Sequence, residues 1–236
     1  MEWLLKTPVA HRGLHDETRP ENSMAAFKAA IEKGYNIEID LRLTKDGIPV
    51  VFHDSNLLRV CGVKKSINKM KLDEVKKYRL KGTEEQIPTF DEFLSLVDGK
   101  VGLLIELKGF SIRDHSLEIA TLERLKNYKG NFAIQSFNPW AVKYCKENSS
   151  YKCGLLATYA KRFMAPSGKL TWVKLCNPDF VAYDIRQAEN KYVEKIHKTL
   201  PLLCWTIRTE DDLKKAQSIA DNIIFEKVEP NFIYKS

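Results

Sequence analysis

His11 and His53 are the two side chains of this chain that stand at the ends of short apolar runs and titrate near neutral pH. His11 follows Pro8-Val9-Ala10, and His53 follows Pro49-Val50-Val51-Phe52. A histidine in such a place is costly unless its ring is paired or used. Two of them beside one bound ester would make an acid/base pair. Three carboxylates accompany them. Glu38 and Asp40 lie two residues apart in Asn36–Leu43, and Glu106 takes the equivalent place in Val101–Lys108. With no cysteine or paired histidine beside them, these are hard oxygen donors. They suit magnesium, calcium or manganese better than zinc or copper. Taken singly, each also reads as a salt-bridge partner for Arg12, Arg42 or Lys108. Arg12 directly follows His11, and its fork can hold two oxygens of a phosphate. Lys108, two residues after Glu106, either meets a phosphate or pairs with a neighbouring carboxylate.

The elements that must carry these groups follow from periodicity. Asn36–Leu43 alternates Ile37, Ile39, Leu41 and Leu43 against Glu38, Asp40 and Arg42, which is a strand with both carboxylates on one side. The connection Thr44–Ile48 is too short for a parallel crossover, so Pro49–His53 returns antiparallel and brings His53 back to the strand's end. Residues 55–88 read as an added segment with one or two short helices. Pro88 precedes a helix expected at Thr89–Val97, and from Val101 onward apolar runs alternate with helical stretches. Strands are expected at 101–108, 132–136, 153–157, 180–183, 202–207 and 222–225. Helices are expected at 112–128, 138–147, near 168–175, 189–199 and 209–219. With Pro8–His11 and Asn36–Leu43 this makes eight strands, and the fold class is α/β: a closed (β/α)8 barrel of TIM type. It is read as one domain over 1–236, with a small hairpin and helical insertion at about 44–98 after the second strand. In such a barrel, strand ends feed the loops that line a site.

Less specific candidates flank these groups. His15 lies in the loop after the first strand, near the mouth. His115 and His197 fall in helical stretches and read as surface or satisfied residues. Glu21 would orient Arg12 or His11, or only favour a helix start. Gln135, Phe137, Tyr183 and Trp205 stand at later strand ends, where an aromatic could pack on a small alcohol.

Five short motifs in order carry a resemblance: His11-Arg12-Gly13, Pro20-Glu21-Asn22-Ser23, Glu38-Ile39-Asp40, Thr44-Lys45-Asp46-Gly47 and His53-Asp54. By this pattern the chain resembles the glycerophosphodiester phosphodiesterase family. The resemblance implies a barrel and a metal-dependent hydrolysis of glycerophosphodiesters to glycerol 3-phosphate and an alcohol. It implies Glu38, Asp40 and Glu106 as ligands of a divalent ion, magnesium or calcium, and His11 and His53 as the catalytic pair. Arg12, Lys108 and Trp205 are the expected substrate contacts, Trp205 because Cys204-Trp205-Thr206 is similar to a family pattern. Phe225-Glu226-Lys227-Val228-Glu229-Pro230 departs from the family's usual last loop, a departure expected to leave the metal and histidine groups untouched. Rival readings on the same scaffold are a phospholipase of C or D type, a nucleotide phosphodiesterase, and a non-catalytic phosphate- or metal-binding module.

Composition bounds the rest. With 38 basic and 31 acidic residues the formal charge is +7, and the pI is near 9.0. The lysines are scattered and not interleaved with aromatics, so a nucleic-acid face is not expected. The balance is compatible with a small anionic substrate. The five cysteines are odd in number and have no metal-ligand spacing, which argues for reduced thiols and a cytoplasmic protein. No signal peptide is read in Met1–Lys6, and no apolar run approaches the ~20 residues of a membrane span, so no stable membrane insertion is expected.

Overall fold

The computed structural model describes residues 1–109, 111–158 and 170–230. In chain order these form α1 (Glu2–Lys6), β1 (Val9–Ala10), α2 (Met24–Glu32), β2 (Asn36–Leu43), β3 (Pro49–Val51), α3 (Leu58–Cys61), α4 (Leu72–Val75), α5 (Phe90–Val97) and β4 (Leu103–Leu107). There follow α6 (Ser116–Leu125), β5 (Phe132–Ser136), α7 (Pro139–Asn148), β6 (Cys153–Ala157), α8 (Val173–Cys176) and β7 (Phe180–Asp184). The last elements are α9 (Lys191–His197), β8 (Leu202–Ile207), α10 (Glu210–Ile219) and β9 (Asn222–Phe225). Eight strands pair in parallel in the order β1-β9-β8-β7-β6-β5-β4-β2, and β1 pairs back onto β2 to close the barrel. β3 adds to β2 antiparallel, with Val51 opposite Leu41.

Period-two alternation divides the apolar residues between two cores. Val9, Leu104, Ala133, Leu156, Ala182, Leu203 and Ile224 point into the barrel. Their neighbours Ala10, Ile37, Ile39, Ile105, Ile134, Leu155, Val181, Cys204 and Ile223 point outward against the helices. Glu38, Asp40 and Glu106 share the inward parity, so they project inside. The helices start where the side chains allow. Ser23 caps α2 through Ala26 N–H, Thr89 and Glu92 form a capping box on α5, and Asn138 with Pro139 starts α7.

The barrel is plugged at the end away from the site. Leu4 of α1 joins the interior core. Asn36 donates to the carbonyls of Trp3 and Thr7, and Asn222 to those of Leu4 and Thr7. These bonds satisfy carbonyls that a five-residue helix leaves open.

The segment between β3 and α5 has a small core of its own, built from Val50, Phe52, Leu57, Val60, Ile67, Met70, Val75, Leu80 and Ile87. α5 instead buries Phe90, Phe93, Leu94 and Val97 in the outer core of the barrel. The helix expected at 112–128 is shorter, because Asp114 accepts from Ser116 and Ser111 from Arg113 and Asp114, which makes a turn of residues 111–115. Of the helix expected near 168–175, only Val173–Cys176 is seen; residues 159–169 lie outside the described residues.

Gly154 tests the interior packing. A Cβ there would lie 2.1 Å from Cε2 of Phe180, whose ring fills that space. Gly154→Ala should destabilise the fold by about 1–3 kcal/mol, read as a lowered urea midpoint with an unchanged slope.

Candidate active site

The C-terminal ends of β1, β2 and β4 bring the charged residues together. Asp40 is directly opposite Glu106, and Glu106 is opposite Gln135. Carboxylate oxygens of Glu38, Asp40 and Glu106 lie within 4.8 Å of one another, all buried. Lys108 Nζ is 2.6 Å from Glu106 Oε1 and 3.0 Å from Asp40 Oδ1. Arg12 Nε is 3.2 Å from Asp40 Oδ2, and Asn22 Nδ2 donates to the same oxygen at 2.9 Å. Glu38 Oε2 accepts from the backbone N–H of Arg12, while its Oε1 is buried with no hydrogen-bond partner.

Three carboxylates against two cations leave an excess of one negative charge in a dry place. Burial opposes charge on Asp40, but Lys108 and Arg12 outweigh it and hold that carboxylate well below its usual range. Burial and the neighbouring Asp40 and Glu106 push Glu38 well above its usual range. Burial, opposed by Lys108 and reinforced by Asp40, takes Glu106 up to about 7. A divalent cation fits this donor set, which offers hard oxygens, a surplus of negative charge and an unpartnered buried oxygen on Glu38.

The loop carrying Arg12 is held by unusual backbone. Arg12 and Asn22 have φ of 58° and 56°, and Asn22 N–H donates to Arg12 O at 2.9 Å. Gly13 follows at φ 79°, where a Cβ would meet the backbone of Ala26 at 2.9 Å. Left-handed backbone of this kind persists only where neighbours over-determine it. Here Arg12 Nη1 donates to Glu21 Oε1 at 2.7 Å. Arg59, from the added segment, grips both Glu21 oxygens at 2.7 Å and Asp54 Oδ2 at 2.7 Å.

Both histidines line one cavity of about 280 Å³ with Arg12, Glu38, Glu106 and Lys108. His11 Nδ1 is 2.6 Å from Glu226 Oε2, and His53 Nδ1 is 2.6 Å from Asp54 Oδ1. A carboxylate only accepts, so each Nδ1 is the donor and each Nε2 is left for the cavity. His11 Nε2 stands 4.0 Å from Glu38 Oε2. Burial lowers the proton affinity of His11 to about 4, against the opposing pull of Glu226, and burial lowers that of His53 as well. Arg42 donates to His53 O at 2.8 Å and fixes the backbone there.

The last loop does reach the histidine group, contrary to expectation. Glu226 binds His11, approaches His15 Nε2 at 3.3 Å, and accepts from Arg208 Nε at 2.7 Å. Burial opposes its charge, but the bonds to His11 and His15 hold it well below the usual range. The signal for it was the inward parity of Asn222 and Ile224, which continues to Glu226. Asp54, Asn22, Arg59, Thr206 and Arg208 were likewise not singled out as site residues. Of the expected wall residues, Gln135, Phe137 and Trp205 line the cavity, with Phe137 and Trp205 edge to face at 5.5 Å. Trp205 Nε1 donates to Ala182 O at 3.0 Å. Tyr183 does not line the cavity; its outward parity buries it in the outer core. Glu21 orients Arg12 and not His11. His197 pairs with Asp221, and His115 stacks on Tyr144, both apart from this cavity.

The chain is similar to known proteins over most of its length. Residues 11–229 match the model of the glycerophosphoryl diester phosphodiesterase family. A glycerophosphodiester phosphodiesterase of Caldanaerobacter subterraneus is 33% identical over 165 residues, which cover 63% of this chain and 68% of that protein. The fold superposes with a TM-score of 0.81 on a phosphodiesterase of Oleispira antarctica solved with the product sn-glycerol-3-phosphate, at 26% identity, covering 94% of this chain and 92% of that one. A glycerophosphodiester phosphodiesterase of Thermotoga maritima superposes at 0.75 with 26% identity, covering 93% and 94%.

The Arg12–Glu21–Arg59 cluster makes a pH-dependent contribution. Burial opposes charge on Glu21, but Arg59 and Arg12 hold it down to about 2, against a usual 4.5. The unfolded chain therefore binds the proton first as pH falls. The contribution is full above about pH 5 and is lost as pH falls to about 2. Glu21→Gln should cost about 2–3 kcal/mol at pH 7, and urea unfolding at pH 3 should show most of that difference gone.

Proposed function

The chain belongs to the glycerophosphoryl diester phosphodiesterase family and is a phosphoric diester hydrolase, and we propose that its barrel mouth hydrolyses glycerophosphodiesters to glycerol 3-phosphate and an alcohol. The observation that carries this reading is one small cavity lined by two histidines, each with its own carboxylate, and by a buried carboxylate cluster with an unpartnered oxygen. The product found with the Oleispira antarctica enzyme is the product expected here.

Glu38, Asp40 and Glu106 hold a divalent ion, magnesium or calcium, and Glu38 Oε1 is the donor left open for it. When bound, such an ion supplies positive charge against the phosphate oxygens. Arg12 and Lys108 add fixed positive charge at the same wall. Trp205, pinned through its ring nitrogen, and Phe137 give the glycerol carbons an apolar face.

His11 and His53 carry the protons. One Nε2 takes the proton of the attacking hydroxyl as the new P–O bond forms. The other gives a proton to the alcohol oxygen as the old P–O bond breaks. Glu226 and Asp54 fix the ring that each holds and stabilise its cation. The attacking hydroxyl is water, or the glycerol's own hydroxyl, in which case water opens the resulting cyclic phosphate through the same pair. The free thiols support a cytoplasmic location. Among the described residues no helix is long and apolar enough to cross a membrane.

Incubation with glycerophosphoethanolamine should release glycerol 3-phosphate. Excess chelator should abolish release, and added magnesium or calcium should restore it. Full activity in chelator would remove the metal from the reading. His11→Ala and His53→Ala should each lower turnover about 100-fold or more in folded protein. A loss under about tenfold would exclude that histidine from proton transfer.

A further inference from the structure

A second cavity, of about 460 Å³, lies between the added segment and the start of α6, and Lys108 lines both it and the catalytic cavity. Ser55, Ser66, Asn68, Gly109, Ser116 and Glu118 are among its walls. Glu118 is 1% exposed, and neither of its oxygens has a hydrogen-bond partner among the described residues. His115 Nδ1, 3.9 Å from Glu118 Oε1, is also without a partner, as is Thr121 Oγ1. Spaced by three, these residues share one face of α6. Buried polar groups are ordinarily paired, and of these three Glu118 lines the cavity, so its unpartnered carboxylate there indicates a ligand that pairs it.

Charge decides the kind of ligand. The cavity's own cations are engaged or peripheral. Lys108 is held by Asp40 and Glu106, Arg42 donates to the carbonyls of His53 and Lys108, and Lys69 is exposed at the rim. Asp114 is occupied in capping Ser116. Glu118 is left as the wall's carboxylate with no hydrogen-bond partner, His115 Nδ1 standing 3.9 Å away. Gly109 stands beside it, and a Cβ there would lie in van der Waals contact, 3.7 Å from Glu118 Oε1. A primary ammonium brings three donors, which match carboxylate and hydroxyl acceptors.

We propose that this cavity receives the departing alcohol and selects one that ends in a primary ammonium group, with Glu118 as its counter-ion. The proposal rests on the reading of the neighbouring mouth as the hydrolytic centre. It places this chain's preference among amino-alcohol esters, above esters of neutral polyols.

The test compares glycerophosphoethanolamine with glycerophosphoglycerol. In Glu118→Gln the ratio of their kcat/KM values should fall about tenfold or more, as expected for the loss of a charged hydrogen-bonded pair. Gly109→Ala, which keeps the charge but sets a methyl against the carboxylate, should move the ratio the same way. An unchanged ratio, or equal losses for both substrates, overturns the proposal. If the parent protein hydrolyses neither ester, the hydrolytic reading fails and the cavity is read directly with ethanolamine alone. Ethanolamine should then shift the amide resonances of Ser116, Glu118 and Thr121 in the parent protein but not in Glu118→Gln. Absence of those shifts in the parent overturns the ammonium assignment.

Discussion

Asp40 is a fully buried carboxylate that stays charged, and the mouth of the barrel is arranged around keeping it so. Isolated burial would neutralise it. Lys108 from the end of β4, and Arg12 and Asn22 from the loop after β1, all converge on its two oxygens. Each partner is itself restrained. Arg12 is held by Glu21, which Arg59 of the added segment grips in turn, and Asn22 N–H closes the loop on Arg12 O. One buried charge thus couples β1, β2, β4 and the added segment. Because such a network is satisfied only as a whole, its members are expected to respond together when any one is removed.

The histidines are controlled by a different device. Neither ring touches the carboxylate cluster within hydrogen-bond distance, but each is fixed from behind by a carboxylate outside it. Glu226 directly follows the last strand and Asp54 follows the hairpin, so the two rings are set by parts of the chain far apart in sequence. The ring orientation of His11 therefore depends on barrel closure, since β9 must pair with β1 before Glu226 can reach it. Chemistry and topology meet at that contact.

Most of the fold was legible because alternation is a local signal. The inward parity of Glu38 and Asp40, the short turn returning His53, and the strands of the second half all appear in short windows of sequence. Long-range relations were less legible. Glu226 was read as part of a divergent loop, since nothing near it in sequence announces His11. Tyr183 was placed at the mouth because it ends an apolar run, yet Phe180 and Ala182 already take the inward parity and leave it outside. Arg59 lies in a stretch with little apolar periodicity, and only the small core folded around Ile67 and Val75 brings it to Glu21.

The plug of α1 has a consequence for traffic. With Leu4 inside the barrel and Asn36 and Asn222 stitching α1 across its base, that end of the interior is stopped among the described residues. A ligand that enters at the strand ends cannot leave through that base. In the proposed reaction both product halves and the incoming water would then share the strand-end side of the barrel.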